Sequence, residues 1–311
     1  LPLVEDLMSK AVAYGIQISE VGGAKVLDLG CRAAGGVEAG LRLVEICLGG
    51  LGRASLSWQN LDGLILPAIS VWTDRPALAT LGSQMAGWRL ELKGKPVLGS
   101  GPARALARKP KKIYKAIGHE EASDTAVLAL EAEELPDEEL VSRVAEACGV
   151  EEDHLYILAV SLMSPAGVVQ VVGRAVEACI LKLLNLGFDV NSIRTAFGMA
   201  FLPPPHPDPD VCMGRTNDVL LYGSVVHLWA DLEDEEAREA AGKAPSSTSP
   251  AYGKPFLTIY EEAGRDFYAI DPGIFAPAEV VVTSLRSGRS YRAGGLNEEL
   301  VLKSFSLAPA T

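Results

Sequence analysis

The 311-residue sequence lacks the short motifs that identify the most common enzyme classes. It contains no Gly-x-x-x-x-Gly-Lys-Ser/Thr loop, no Gly-x-Ser-x-Gly elbow and no His-Glu-x-x-His pair, and GSGPAR at 99–104 lacks the third glycine of a dinucleotide fingerprint. A nucleotide-binding fold and a serine-hydrolase triad therefore have no local support. There are only four histidines, without the spacing of metal ligands, so we predict no metal site.

Positive charge is also scarce. Lys and Arg total 28 against 40 Asp and Glu, which gives a formal net charge of −12 and a pI near 4.9. Such a surface repels a phosphate backbone, so we expect no nucleic-acid partner. The longest run without charged residues or histidine, Leu155 to Gly173, is interrupted by serines and Pro165. It favours a strand, a turn and the start of a helix over a membrane span.

Cysteines are few, and their number is odd. The five cysteines are scattered through the chain without a Cys-x-x-Cys pair, and most have apolar neighbours. This pattern is typical of reduced thiols, so we expect a cytoplasmic protein.

β-branched runs alternate with helical periodicity, which predicts a mixed α+β protein. A hairpin is expected about Gly22-Gly23, a strand interrupted by Pro67 at 62–73, and a helix after it with Asp74 as N-cap. Residues 278–305 are expected to form a hairpin, a Gly-Gly pair and a helix, in the same order as residues 16–46, which would be a weak internal repeat. The charged, Ala- and Ser-rich segment 233–253 resembles a mobile connection. We predict two two-layer α/β domains: residues 1–120 plus 250–311, and an inserted domain at 121–249.

Charged residues, Arg174 and Glu177 among them, interrupt the apolar segment 164–188, which is expected to form one buried helix. Arg174 and Glu177 are three residues apart and so share one helical face. They could form a structural ion pair between packed elements. They could instead line a cleft, where a carboxylate held beside a fixed cation handles a proton.

Two further segments carry polar groups suited to a ligand. Residues 102–115 contain six basic residues and no acid. The GSGPAR motif at 99–104, which leads into this segment, contains Ser100 and Arg104; its backbone N–H groups and guanidinium could hold an anion. The alternative for the lysines of 102–115 is a solvated face. MGRTND at 213–218 is predicted to be a turn before an apolar strand, offering Arg215, Thr216, Asn217 and Asp218 to a planar heterocycle. A self-capped turn is the alternative.

Six segments in order, with RAVE at 174–177 between them, resemble methenyltetrahydromethanopterin cyclohydrolases. They are AAGGVEAGL (33–41), TDRPA (73–77), GSGPARAL (99–106), MGRTND (213–218), YGKPF (252–256) and DPGIFAPA (271–278). The resemblance covers Leu1 to about Phe305. Two departures from the family pattern are FLPPPHPDPD at 201–210, which would change one wall of the cleft, and the strongly basic 102–115. For the second, our hypothesis is an altered anionic tail on the substrate.

The resemblance implies a homotrimeric enzyme with two α/β domains, a pterin substrate in the active-site cleft between them, and neither metal nor redox cofactor. It assigns catalysis to Arg174 and Glu177. Candidates for substrate contacts are Thr73, Asp74, Ser100, Arg104, Arg215, Thr216, Asn217 and Asp218.

The implied reaction is reversible hydrolysis of 5,10-methenyltetrahydromethanopterin to the 5-formyl pterin. Glu177 would take a proton from the attacking water, and Arg174 would favour its charged form. The alternatives are a cyclohydrolase for the folate analogue and a non-catalytic pterin-binding protein in which the pair is structural.

Overall fold

The computed structural model describes residues 1–306 as a mixed α/β protein with two six-stranded sheets. The chain divides into two compact units. Unit 1 contains Leu1–Ala54 and Ala77–Gln170; unit 2 contains Ser55–Pro76 and the described chain from Val171 onward.

The strands, in chain order, are β1 Gln17–Val21, β2 Ala24–Asp28, β3 Gly52–Leu61, β4 Leu64–Thr73, β5 Trp88–Leu92, β6 Lys95–Ser100, β7 Ala126–Glu131, β8 Leu155–Val160, β9 Ile193–Phe201, β10 Ser224–Ala230, β11 Glu279–Ser284 and β12 Ser290–Gly294.

The α-helices are α1 Pro2–Ser9, α2 Ala11–Tyr14, α3 Val37–Cys47, α4 Ala103–Ala107, α5 Lys111–Ile117, α6 Glu138–Cys148, α7 Pro165–Val172, α8 Ala175–Asn185, α9 Pro209–Tyr222, α10 Asp234–Lys243, α11 Phe256–Glu262 and α12 Glu298–Phe305. A π-helix covers Leu78–Gln84, and 3₁₀ turns cover Glu152–His154, Val190–Ser192, Ser246–Thr248 and Pro272–Ile274. Among the helices of residues 1–306, none has the length and apolar character needed to cross a bilayer.

Unit 1 has three layers because its sheet, in the order β1-β2-β8-β7-β6-β5, is covered on both faces. Alternate residues of a strand point to opposite faces. Val26 and Leu128 lie in one hydrophobic cluster with α6, whereas Leu27 and Ala129 lie in another with α1 and α3. The predicted α/β fold is confirmed, and this unit has three layers where two were expected.

Unit 2 has a sheet in the order β12-β11-β10-β9-β4-β3 with helices packed on one face. Leu183 of α8 and Ala240 of α10 line one small internal space together with Leu228 and Val282 of the sheet. Residues of β10 alternate between buried and more exposed, and Trp229 is exposed on the other face.

Three pairs of neighbouring strands close through two-residue turns in which both residues have positive φ. The turns are Gly22-Gly23 (φ 54° and 88°), Asp62-Gly63 (49° and 80°) and Lys93-Gly94 (50° and 78°). This conformation matches the twist of antiparallel strands, and glycine adopts it without steric strain. The hairpin expected about Gly22-Gly23 is confirmed, with Val21 opposite Ala24.

The division into units differs from the domain boundaries drawn from the sequence. Strands β11 and β12 of the C-terminal segment share a sheet with β9 and β10, and β7 and β8 share one with β1 and β2. Sheet pairing over long chain separations decides this division, and no local pattern encodes it.

Several local predictions are also corrected. The segment 164–188 forms two helices, with Gly173 and Arg174 in the turn between them. The segment 233–253 contains α10, whose buried Ala237, Ala240 and Ala241 pack inward, so it is no mobile connection. Strand β4 runs through Pro67 without interruption, and a π-helix follows where a helix capped by Asp74 was expected.

The contact between α8 and β9 is very close at Gly198. A Cβ added at Gly198 would lie 2.7 Å from Val176 Cγ2 and 3.6 Å from Ala175 Cβ. Glycine at this point therefore allows the first turn of α8 to approach the sheet.

We predict that Gly198→Ala lowers the free energy of unfolding by ~1–3 kcal/mol, because overpacking forces the helix away from the strand. Urea denaturation measures this change. Gly242→Ala is the matched control: Gly242 is exposed in α10 with no heavy atom within 4 Å of an added Cβ. It should gain ~0.5–1 kcal/mol from helix propensity. A Gly198→Ala variant as stable as the unmodified chain would contradict the prediction.

Candidate functional site

The beginning of α8 places Arg174 and Glu177 side by side in unit 2. Arg174 is the N-cap residue, with φ −97° and ψ 5°, and Glu177 lies in the first helical turn. Both residues are buried, with 8% and 7% of their surface exposed. The sequence prediction that they share one environment is confirmed, although a helix boundary, and not a helix interior, brings it about.

The two side chains are close but are not clamped together. Arg174 Nη1 lies 4.0 Å from Glu177 Oε2, beyond hydrogen-bonding distance for those two atoms. The positive field of the guanidinium still acts on the carboxylate, and the N-terminal position of Glu177 on α8 adds the favourable end of the helix dipole. Both effects stabilise a negatively charged Glu177.

A second Arg-x-x-Glu pair in the same chain provides a structural comparison. Arg42 Nη1 donates to Glu45 Oε2 at 2.7 Å on α3 in unit 1, and the other oxygen of Glu45 accepts from the Ala54 N–H at 3.3 Å. Both carboxylate oxygens of Glu45 thus have fixed protein donors. The same spacing therefore produces a directly hydrogen-bonded pair in α3 and a pair separated by 4.0 Å in α8.

Lys182 anchors the middle of α8. Its buried Nζ donates to the Pro245 carbonyl (2.8 Å), Thr248 Oγ1 (2.7 Å) and the Gly273 carbonyl (2.8 Å). Burial lowers the pKa of the Lys182 ammonium to about 8, while the negative charge of Asp271 acts in the opposite direction. These three bonds fix the 245–248 and 271–274 turns to the helix that carries Glu177. The DPGIFAPA motif, which contains Gly273, is therefore bound to Lys182 of α8.

The MGRTND residues lie inside α9, so the predicted turn and strand at this place are wrong. Asp208 caps α9 by accepting from the Asp210 and Val211 N–H groups, and Pro209 follows it at the first helical position. Asp followed by Pro is a helix-start signal that the motif-based interpretation overlooked.

Two of these α9 residues bind other parts of unit 2. Arg215 donates to the carbonyls of Ser304 and Pro204, both at 3.1 Å. Asp218 accepts from the Phe256 N–H at 2.6 Å and from Ser304 Oγ at 2.7 Å. They therefore hold α11 and α12 against α9. Thr216 and Asn217 donate to carbonyls of their own helix, including that of Met213. Substrate contacts by this group stay a prediction.

The TDRPA residues are also in unit 2. Thr73 is buried, and its Oγ1 accepts from the Arg75 N–H at 3.0 Å. Asp74 is exposed and accepts from Thr195 Oγ1 at 3.0 Å. Of these two, only Asp74 presents an exposed side chain in unit 2.

Arg104 and Ser100 belong to unit 1 and are buried. Arg104 is fully inaccessible and donates to the carbonyls of Lys109 (2.8 Å), Leu81 (3.2 Å) and Ser83 (3.1 Å). Ser100 Oγ lies 3.7 Å from Cys47 Sγ. This geometry favours a structural task for Arg104 over the predicted contact with substrate.

Unit 1 also holds a polar group that the motif search missed, at the carboxyl ends of β2, β7 and β8. Asp28 accepts four backbone N–H bonds, from Gly30, Cys31, Arg32 and Ala33. Gln170 donates to Glu131 and Ser161 to Glu133, both at 2.7 Å. The signal was an acidic residue directly after an apolar strand, as in VLD and LALE. Parallel strands collect such residues at one edge, where α/β proteins commonly bind ligands.

Across residues 1–306, no three His, Cys, Asp or Glu side chains form a group that could hold a metal ion. The five cysteines are free thiols.

Comparison with known proteins gives a consistent result over nearly the whole chain. A protein-family model described as "Cyclohydrolase (MCH)" matches residues 1–305. The methenyltetrahydromethanopterin cyclohydrolase of Methanocella arvoryzae is 45% identical over 305 residues, covering 97% of this chain and 95% of that protein. The proteins of the same name from Methanothermobacter marburgensis and Methanocaldococcus jannaschii are 43% and 42% identical, covering 92% and 98% of this chain and 90% and 96% of their own lengths.

The buried Asp218 carboxyl generates a pH prediction. Burial raises the pKa of Asp218 from 3.8 to about 6, against the opposing effect of the Phe256 and Ser304 hydrogen bonds. Because this folded-state pKa exceeds the unfolded value, the stabilisation is present below about pH 4 and is lost as the pH rises through about 6. The difference between the two pKa values corresponds to ~3 kcal/mol.

We predict that Asp218→Asn removes this dependence. The difference in unfolding free energy between the variant and the unmodified chain should change by up to ~3 kcal/mol between pH 4 and pH 7. Urea denaturation at a series of pH values measures it. Parallel stability profiles for the two proteins would show that Asp218 does not titrate as described.

Proposed function

The chain belongs to the methenyltetrahydromethanopterin cyclohydrolase family, a family of hydrolases that open a cyclic carbon–nitrogen bond, and we propose that Glu177 and Arg174 carry its reaction. The substrate is the 5,10-methenyl pterin and the product is the 5-formyl pterin. The observation that supports the catalytic assignment is a buried carboxylate at a helix start, 4.0 Å from a buried guanidinium.

The chemistry requires a well-placed base more than an electrophile. The methenyl carbon lies between two nitrogens in an amidinium-like cation, so it is already electron-poor. A water oxygen forms the new carbon–oxygen bond while Glu177 accepts one of the water protons. The resulting intermediate carries a hydroxyl on the former methenyl carbon.

Collapse of that intermediate breaks the bond from this carbon to the nitrogen at position 10. Glu177 returns its proton to that nitrogen as it leaves. The hydroxyl proton passes to solvent as the formyl C=O forms. One water is consumed and one proton is released, which balances the loss of the substrate's positive charge.

Arg174 has a positioning and electrostatic task in this proposal. Its guanidinium favours the ionised form of Glu177, which is the form that accepts a proton. The negative carboxylate in turn complements the cationic substrate. In the Arg42–Glu45 pair, by contrast, the guanidinium donates directly to the carboxylate at 2.7 Å.

The proposal includes neither a metal nor a redox cofactor. The one-carbon unit has the same oxidation level in the methenyl and the formyl pterin, so no electrons are transferred. Tetrahydromethanopterin serves as the one-carbon carrier and is itself part of the substrate. We place the reaction in the cytoplasm; the five free thiols are in keeping with a reducing compartment.

We predict that Glu177→Gln reduces kcat by ~10²–10⁴-fold, because a general base is lost while shape and burial are kept. The measurement is the rate at which the methenyl chromophore disappears after mixing with purified protein, together with the affinity for the pterin. Binding should persist in the variant. Methenyltetrahydrofolate, tested in parallel, should react far more slowly.

Glu45→Gln is the matched control for this experiment, since Glu45 is a buried glutamate in the same Arg-x-x-Glu spacing. It should lower stability and leave kcat within about twofold of the unmodified enzyme. Near-normal turnover in Glu177→Gln would remove Glu177 from the mechanism. Pterin binding without any turnover by the unmodified chain would identify a binding protein.

The resemblance to the family also leads us to propose a homotrimer. Light scattering on the purified protein should give three times the chain mass of 32.9 kDa. A mass of one or two chains at micromolar concentration would contradict this part of the proposal.

A further inference from the structure

Unit 1 contains a cavity that the proposed reaction does not use. Its volume is about 580 Å³, its charged lining residues are Arg108, Lys111, Lys115 and Glu120, and His119 lies beside them. The volume lies in the range of small-molecule sites. The cavity is formed by the basic segment noticed in the sequence and the turn that follows it.

Positive charge predominates in this cavity. Among the lining residues, Arg108 and the two lysines outnumber one carboxylate, Glu120, which lies 3.3 Å from Arg108. Glu121, outside the lining, lies 3.2 Å from His119 Nε2. Within residues 1–306, Lys111 and Lys115 form no salt bridge. The whole chain has a net charge of −12, so this concentration of cations is local and opposite in sign to the rest of the protein.

The cations project from a fixed scaffold. Lys111 and Lys115 are four residues apart on α5 and so lie on one face. On the buried side of α5, the Tyr114 hydroxyl donates to the Gly82 carbonyl at 2.7 Å, which ties the helix to the π-helix below it. Burial raises the pKa of this phenol to about 12, so it remains a donor.

Arg104 and Arg108 fix the chain on the other side of the cavity. The buried Arg104 holds the Lys109 carbonyl at 2.8 Å, immediately after Arg108. Arg108 has a left-handed backbone, φ 52° and ψ 48°, which is uncommon for residues other than glycine and is held by the surrounding structure. The backbone that carries the three cations is thus fixed, which reduces the entropy lost when an anion binds.

We propose that this cavity binds a ligand with two or more closely spaced negative charges, of the phosphate-ester or polycarboxylate class. The guanidinium of Arg108 can engage two oxygens of such a group, and the two ammonium groups can each donate to another. The ligand has two possible sources. It is either a charged terminal group of the pterin substrate or a separate soluble anion.

The first experiment titrates inorganic pyrophosphate into the full-length protein by isothermal calorimetry. The unmodified chain should bind it, and the double variant Lys111→Ala/Lys115→Ala should bind it at least about tenfold more weakly, because two charge-assisted contacts are removed. Titration needs no turnover, so its result is separate from the fate of the proposed reaction.

Lys112→Glu is the matched control. It changes the net charge by the same amount as the double variant and lies exposed on the same helix, outside the cavity lining. Its affinity for pyrophosphate should stay within about twofold, since only the general field changes. No binding by the unmodified chain, or equal weakening in Lys112→Glu, would overturn the proposal.

The second experiment separates the two sources by steady-state kinetics on the same variants. If the substrate's terminal group occupies the cavity, the double variant raises KM for the intact pterin only, and a pterin without those charged groups is unaffected. If a separate anion occupies it, KM is unchanged for both pterins although pyrophosphate binding is lost.

Discussion

The close approach of α8 to β9 is the constraint on which the candidate site depends. Glycine at 198 leaves space for Val176, so the first turn of α8 lies directly on the sheet and its two charged residues are buried beside it. Farther along α8, Lys182 binds three oxygen acceptors from the 245–248 and 271–274 turns. The helix is thus fixed near its start by packing and toward its end by hydrogen bonds. These contacts hold in place the helix that carries Glu177, the proposed general base.

Burying charge is unfavourable unless the charge is compensated, and the protein compensates its buried charges in different ways. Glu45 receives donors on both oxygens, Asp28 receives four backbone N–H bonds, and Asp218 holds two helices through Phe256 and Ser304. Glu177 differs because its arginine lies 4.0 Å away. The Arg174–Glu177 pair is therefore buried and close, but no direct hydrogen bond joins Nη1 to Oε2.

Two buried arginines are also compensated by hydrogen bonds within the protein. Arg104 and Arg215 both direct their guanidinium groups at backbone carbonyls, so their role in the structure is to hold chain segments together. Through the Lys109 carbonyl, Arg104 supports the basic cavity of unit 1 even though it is itself inaccessible. Its link to anion binding is therefore indirect, by way of Arg108, Lys111 and Lys115.

Local features of the chain could be predicted from the sequence because neighbours in the chain decide them. The Gly-Gly hairpin, the strand, turn and helix start between Leu155 and Gly173, and the shared environment of Arg174 and Glu177 are of this kind, and the order of motifs identified the family. The sequence also contains local signals for the starts of α9 and α10, namely Asp208-Pro209 and the Glu233 capping box. They were overlooked because the MGRTND motif suggested a turn and the composition of 233–253 suggested a mobile connection. Tertiary structure alone decided the two units, the burial of Arg104 and the different surroundings of two identical Arg-x-x-Glu spacings. The physical reason is chain separation: the carbonyl of Gly273 that fixes Lys182 lies 91 residues away in the chain, and no local pattern specifies such a contact.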